Sequence, residues 1–316
     1  MPDLAVDICG VKLKNPVIAA SGTFGFGEEF AEYMDVSKLG GICSKGLTLH
    51  PRAGNPGVRM WETSGGMLNS VGLQNPGVAA FIEKELIAMR NCGTAVIANL
   101  GGGTLDEYIE GAKLLDKADI DILELNISCP NVKQGGIAFG IKCTDAKEVV
   151  SAVRAVFHGV MMVKLSPNAE DITQMAIACV EAGADALSLI NTIKAMSIDV
   201  FNRRPMFRNT VAGLSGPAVK PIALRMVYDV CKAVDVPVIG IGGIMTGMDA
   251  AEFIMAGAAA VQIGTANFTR PDASLIILRE LEDFMIKQGI ESLGQIEILA
   301  LQCKCNKKND SRSQSL

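Results

Sequence analysis

Eight short apolar runs, alternating with amphipathic segments, predict an α/β chain folded as a closed (β/α)8 barrel, a TIM barrel. The first observation is the runs themselves: 17–20 (VIAA), 41–45 (GICSK), 95–99 (AVIAN), 122–126 (ILELN), 160–164 (VMMVK), 186–190 (ALSLI), 237–241 (PVIGI) and 259–263 (AAVQI). Each has the length of a fully buried parallel strand, and none alternates strictly. The second is the helical pattern between them, which makes strand and helix alternate nearly from end to end. The third is a local echo: 181–190 (EAGADALSLI) and 255–264 (MAGAAAVQIG) each pass from a helix end through a glycine into a strand. A chain of 316 residues suits one large barrel or two ordinary domains. A doubly wound sheet is the competing arrangement of the same elements.

Taken in order, 4–15 (LAVDICGVKLKN) alternates like a hairpin and is expected to cap the barrel floor. Thr104-x-x-Glu107 reads as a capping box, and Asn168-x-x-Asp171 as an N-cap followed by an acid in the first turn. In 172–180, Ile172, Met175, Ala176, Cys179 and Val180 keep the spacing of one buried helix face. Gly183 and Gly257 stand where a helix ends in a left-handed residue. Three connections, 46–76, 127–143 and 191–216, lack helical periodicity and are too long to be turns. They are expected to be lids or binding loops, and all three follow strands, which puts them over the C-terminal face.

Composition narrows the function classes. Hydrophobic residues make up 49% of the chain and aromatics only 5%, so the core is built from small and branched side chains. The net charge of −5, without a basic cluster, argues against nucleic acid as a partner. The first ten residues have no charged n-region followed by an apolar stretch, and no apolar run reaches the roughly 18 residues of a membrane span. A soluble, cytoplasmic chain is expected. The nine cysteines are dispersed and form no C-x-x-C, so neither a disulfide framework nor a metal site is expected. Cys303-x-Cys305 lacks further ligands. The only histidines, His50 and His158, have no acid or nucleophile beside them in sequence.

The ends of the strands carry the chemistry. They finish in Ser21, Lys45, Asn99, Asn126, Lys164, Asn191-Thr192, Gly242-Gly243 and Gly264-Thr265. Glycine in 240–247 (GIGGIMTG) and 263–267 (IGTAN) lets backbone N–H groups approach an anion, and the helix that follows adds a favourable dipole. The loops after the seventh and eighth barrel strands are the usual phosphate position of this fold. Plain glycine-rich turns would have the same spacing. A lysine at a strand exit is costly unless an anion faces it, and either a flavin or a substrate carboxylate would serve; snorkelling at the rim is the alternative. Cys129, three residues beyond Asn126, could be a general base beside a cation. On pattern alone, packing is the commoner use of such a cysteine.

The segments 126–132 (NISCPNV), 20–29 (ASGTFGFGEE), 44–46 (SKG), 69–77 (NSVGLQNPG), 163–167 (VKLSP), 213–221 (GLSGPAVKP) and 240–244 (GIGGI) together resemble dihydroorotate dehydrogenase. The likeness runs in order from about residue 4 to about residue 290, and 22–29 and 69–77 resemble the class 1B catalytic subunits most. The resemblance implies oxidation of (S)-dihydroorotate to orotate in pyrimidine biosynthesis, with one FMN per chain and Cys129 as the base. It implies that Ser21, Lys45, Gly46, Asn99, Asn126, Lys164, Ile190, Gly216, Gly242, Gly243, Gly264 and Thr265 contact FMN. Substrate would be held by Lys45, Asn69, Ser70, Val71, Gly72, Leu73, Asn126, Asn131, Asn191 and Thr192. It also implies a homodimer core and a partner subunit carrying FAD and a 2Fe-2S cluster, in a heterotetramer that delivers electrons to NAD⁺. No dinucleotide fingerprint stands in this chain itself. A single domain over 1–301 is expected, followed by a disordered tail, 302–316. Rival readings are a dihydropyrimidine dehydrogenase-type flavoprotein acting on uracil derivatives, a dihydrouridine synthase, and a flavin-binding protein without catalysis.

Overall fold

The chain begins with the hairpin, β1 (Val6–Ile8) and β2 (Val11–Leu13), paired antiparallel with Ile8 opposite Val11. Its two-residue turn takes positive φ at both Cys9 (54°) and Gly10 (93°), the geometry that matches strand twist in a tight hairpin. The structure, a computed structural model, describes residues 1–128, 139–296 and 298. After the hairpin come β3 (Val17–Ala19) and β4 (Gly41–Cys43), then an excursion carrying β5 (Met60–Thr63) and β6 (Gly66–Asn69). β7 (Ala95–Leu100), β8 (Ile122–Asn126), β9 (Val160–Lys164) and β10 (Ala186–Leu189) follow. A second excursion holds β11 (Ile193–Ala195), β12 (Ile198–Asp199), β13 (Arg204–Pro205) and β14 (Ala212–Ser215), before β15 (Val238–Ile241) and β16 (Ala260–Ile263).

The eight expected strands, β3, β4, β7, β8, β9, β10, β15 and β16, close into a parallel barrel in sequence order. Because side chains alternate across a strand, each barrel strand feeds two cores. Ile18, Ile97, Ile122, Met162, Ala186, Ile239 and Ala260 point inward and pack at the barrel's lower end on Ile8 and Leu13 of the hairpin. Val17, Val96, Leu123, Val163, Leu187 and Val261 point outward into the larger core shared with the helices. The hairpin therefore plugs the floor. Ile8 and Leu13 are each 1% exposed, which is worth about 1.5–3 kcal/mol apiece in apolar burial.

The helices are α1 (Val78–Ala80) and α2 (Leu86–Asn91), joined by a π-helical turn at Phe81–Glu85, then α3 (Leu105–Leu115), α4 (Cys143–Arg154), α5 (Ile172–Glu181), α6 (Lys220–Ala233), α7 (Gly247–Met255), α8 (Ala266–Thr269) and α9 (Ala273–Gln288). Two caps differ from expectation. Thr104 accepts from Glu107 N at 3.2 Å, but Glu107 does not return the bond; its carboxylate takes Gly103 N at 2.6 Å and Arg52 at 3.0 Å. At α5 the cap is Asp171, accepting from Thr173 N and Gln174 N, while Asn168 turns to Ser166 and Thr192. The two side chains are of equal length, but Asp171 adjoins the helix and is charged, so it caps in place of the amide three residues before it. Asp121 and Asp185 start β8 and β10 alike: each takes a neighbouring strand's N–H (Val96, Met161) and pairs with an arginine (Arg90, Arg154).

The connections 46–76 and 191–216 carry strands of their own. They build one antiparallel sheet, β11-β14-β6-β5, with Gly213 opposite Asn69 and its own small core of Leu68, Phe207 and Ala212. β12 and β13 pair as a separate two-stranded sheet within the second connection. The third connection lies partly outside the described residues, and the tail 302–316, with Cys303 and Cys305, lies wholly outside them.

Candidate active site

A cavity of about 450 Å³ opens at the C-terminal ends of the barrel strands, beneath the excursion sheet. Of the residues expected to contact a cofactor, Ser21, Lys45, Gly46, Asn126, Lys164, Ile190, Gly216, Gly242, Gly243, Gly264 and Thr265 line it. So do Asn69, Val71, Gly72, Leu73, Asn191 and Thr192 from the expected substrate set. Asn99 and Ser70 sit behind the wall. Asn99 is fully buried and donates to Glu124 Oε1 at 2.6 Å; Ser70 is buried under Asn55 and Asn209, which donate to its Oγ at 3.1 and 3.2 Å. Cys129 and Asn131 lie outside the described residues. His158 pairs with Asp116 on the surface, and neither it nor His50 is among the lining residues.

The polar floor is a relay across strand ends. Asn126 Nδ2 donates to Asn99 Oδ1 at 3.4 Å, while Asn126 Oδ1 accepts from Ser128 Oγ at 2.6 Å and Asn191 Nδ2 at 3.5 Å. Asn191 Nδ2 also donates to Ser128 Oγ. Tyr108, buried under the exit of β8, donates to Asn126 O at 2.8 Å and fixes where that strand ends. Held this way, Asn126 keeps one N–H unused and Asn191 one lone pair on Oδ1, a donor and an acceptor between them, which suits a planar ring with both on its edge.

Beneath them lies a group that reading strand exits alone does not find. Glu124, 0% exposed, takes Asn99 Nδ2 at 2.6 Å, Gln262 Nε2 at 2.7 Å, Ser188 Oγ at 2.9 Å, Cys43 Sγ at 3.4 Å and Lys164 Nζ at 3.5 Å. Burial opposes its charge, but Lys164 and the three hydrogen bonds from Gln262, Asn99 and Ser188 outweigh it and hold its pKa below the ordinary carboxylate value. Burial first, then the Glu124 charge, pushes the Cys43 thiol well up, so Cys43 is a neutral donor here. The upper lysine differs. Burial lowers the pKa of half-buried Lys45, Arg59 adds to the fall, and Glu29 opposes it. Arg59, also missed in the sequence, lines the cavity with its guanidinium held by Asn55 O, Ala53 O and Gln74 Oε1 at 2.7–2.9 Å.

On the opposite side, the backbone amides of Gly242, Gly243, Gly264 and Thr265 have no hydrogen-bond partner among the described residues. These are the donors an anionic group requires. The expected dipole of α7 is not free for it. Thr246 and Asp249 form a closed capping box, Asp249 also takes Met245 N, and Glu280 takes Gly247 N at 2.7 Å. An anion at this loop would therefore be met by the loop amides. Gly243 (φ 73°) packs so closely that a Cβ there would lie 2.7 Å from Lys220 N, which is why this loop needs glycine.

A family model described as dihydroorotate dehydrogenase matches residues 3–285. Relatives named dihydroorotate dehydrogenase B (NAD(+)), catalytic subunit, include one from Petrotoga mobilis, 59% identical over 296 residues, covering 94% of this chain and 99% of the relative. One from Geotalea uraniireducens is 56% identical, covering 93% of this chain and 97% of its own length. One from Geobacter sulfurreducens is 55% identical over 302 residues, covering 94% and 99%.

Proposed function

Because the chain belongs to the dihydroorotate dehydrogenase family, we propose that it oxidises (S)-dihydroorotate to orotate in pyrimidine biosynthesis, with FMN in the cavity above the barrel. One observation carries this reading: two lysines, several carboxamides and four backbone amides without a partner among the described residues converge on a cavity of about 450 Å³. The donor set suits a flavin phosphate at Gly242, Gly243, Gly264 and Thr265, with Ser21, Gly46, Lys164, Ile190 and Gly216 along the ring system and Asn99 reaching it through Asn126. Bound FMN would supply the acceptor for the hydride that leaves substrate C6.

The chain's own residues do the rest. Lys45 meets the substrate carboxylate, which supplies the ion-pair partner that Lys45 lacks among the described residues. Asn69, Asn126, Asn191 and Thr192 orient the ring edges, and the turn 70–73 closes one side. Cys129, placed by the sequence three residues after the end of β8, takes the C5 proton as thiolate, and Asn131 adds an amide to the same loop. Residues 1–301 act as one domain in this reading, in the cytoplasm; no helix among the described residues is long and apolar enough to cross a membrane.

The relatives' name, catalytic subunit, supports a separate partner chain. We infer that the partner carries FAD and a 2Fe-2S cluster and reduces NAD⁺, in a heterotetramer built on a homodimer of this chain. No group of metal-ligating side chains occurs among the described residues. Anaerobic titration of the purified protein with dihydroorotate, followed at the flavin absorbance, tests the reading: bleaching is expected, and an unchanged spectrum refutes it. Bleaching by dihydrouracil but not dihydroorotate would favour the uracil-type rival. Rapid reduction of NAD⁺ by this chain alone would overturn the partner assignment.

A further inference from the structure

We propose that Glu124 is a positioning residue, the fixed counter-charge that keeps Lys164 cationic at the cavity floor while leaving its N–H groups to the cavity ligand. The hydrogen-bond pattern is lopsided. Four neutral donors from four strands, Cys43, Asn99, Ser188 and Gln262, hold the carboxylate whether or not Lys164 is present. Lys164 is 6% exposed, lines the cavity, and has Glu124 as its ion-pair partner at 3.5 Å, a loose contact that leaves other donors on Nζ for the cavity. A buried ammonium without a counter-charge is strongly disfavoured, whereas an anion with full hydrogen bonding is stable.

A second observation shows which form the carboxyl takes. Gln262 is fully buried, and its Oε1 is the buried side-chain acceptor without a partner among the described residues. Turning that amide would bring Oε1 against Glu124 Oε2, so the side chain leaves its own oxygen unpaired to donate Nε2 at 2.7 Å. That orientation suits an ionised Glu124.

The ionisable groups facing the pair are Cys43 from β4 and, at the exit of the same strand, Lys45; the neighbours on β7, β10 and β16 are the neutral Asn99, Ser188 and Gln262. Lys45 titrates in wild type and variant alike and cancels in a difference; Cys43 does not, because the Glu124 charge helps push its thiol up, and repeating the comparison with Cys43→Ala in both proteins removes it. The experiment compares wild-type holoprotein with Glu124→Gln from about pH 6 to about pH 10, by thermal unfolding and by the reduction potential of the bound flavin. In the variant the unpaired ammonium is relieved by proton loss, so the unfolded chain binds more protons than the folded one and stability rises with pH. The gap in Tm is therefore expected to be widest at low pH and to narrow as pH rises, with a pH step in the flavin potential that wild type lacks. A gap independent of pH, with parallel potential profiles, would mean that Glu124 serves only as a hydrogen-bond hub, and would overturn the inference. If Glu124→Gln does not fold, recovery of folding by the double variant Glu124→Gln/Lys164→Met supports the pairing, and failure of both refutes it. The inference rests on the flavin reading above. Wild-type protein without flavin would sink that reading, while the melting comparison would still test the pairing.

Discussion

Gly216 joins β14 to the turn that begins α6, and it stands at φ 96°, ψ −170°, a region open to glycine almost alone. A Cβ at this position would lie 2.7 Å from Gly66 Cα, a backbone atom of the excursion sheet that no rotamer change can move. Gly216→Ala thus combines backbone strain of about 1–3 kcal/mol with overpacking of about 1–3 kcal/mol, about 2–6 kcal/mol in all. The cheapest relief is for the turn 216–219 to shift, because it lines the cavity on one side and touches β6 on the other. Even if only a third of the strain is transmitted to the ligand, flavin affinity falls about threefold to thirtyfold at 1.4 kcal/mol per decade. The assay is fluorescence titration of apoprotein with FMN, beside the flavin content of purified protein. Gly10→Ala is the control: φ is also positive (93°), but nothing lies within 4 Å of the added Cβ, and the turn is at the barrel floor. It should lower Tm slightly and leave flavin binding untouched. A Gly216→Ala protein that binds FMN as wild type does, or a Gly10→Ala protein equally impaired, would refute the reasoning.

Cys129→Ala is expected to abolish turnover while flavin content stays at the wild-type level; unchanged turnover would remove Cys129 from its role. Leu13→Ala opens a hole between the hairpin plug and the lowest barrel layer and should cost about 2–5 kcal/mol in chemical denaturation. Flavin binding should survive it, since the floor is at the opposite end from the cavity. Lys45 loses its proton at a lower pH than an ordinary lysine, because burial and Arg59 depress its pKa. Below that pKa it is charged and holds the carboxylate; above it the attraction is lost. The kcat/KM for dihydroorotate should therefore decline on the alkaline side earlier than an ordinary lysine would allow, with a correspondingly rising KM in a steady-state pH profile.

The barrel was readable because each buried strand announces itself twice, by its apolar run and by the polar residue that ends it. Asn126, Lys164 and Gly264 were found in this way, but the layer beneath them was not. Glu124 was counted as part of an apolar run, although it stands two residues before Asn126 and must face the same way. The same step back from Gly264, Ile190 and Lys45 reaches Gln262, Ser188 and Cys43, which with Glu124 are the buried network. The signal was present in the alternation and required only that the barrel be taken as closed. The excursion sheet is a different case. β5 is exposed along its whole length and shows no core-facing pattern, and β6 meets β14 across more than a hundred residues of intervening chain. The two-residue turn at Ser64-Gly65 is the one local part of that sheet, and it too went unread. Arg59 was missed for a related reason, since its place on the cavity depends on where that sheet folds over.

The two cavity lysines are chemically alike in sequence and opposite in the structure. Lys164 has a built-in carboxylate, so its charge is already balanced before any ligand arrives. Lys45 faces Arg59 and is depressed by burial, so an incoming carboxylate relieves it. On the proposed reading, Lys45 then discriminates dihydroorotate from dihydropyrimidines without a carboxylate, and Lys164 does not. Lys45→Met removes one charge-assisted hydrogen bond, worth about 1.5–3 kcal/mol. That converts to a loss of about tenfold to a hundredfold or more in kcat/KM for dihydroorotate. For dihydrouracil the same substitution removes no ion pair, and the residual rate should hold or rise as a cation is taken out of a buried wall. Stopped-flow reduction of the bound flavin by each substrate separates the two. If both rates fall by the same factor, Lys45 acts on the ring or the flavin, and carboxylate selection belongs to another residue of the cavity.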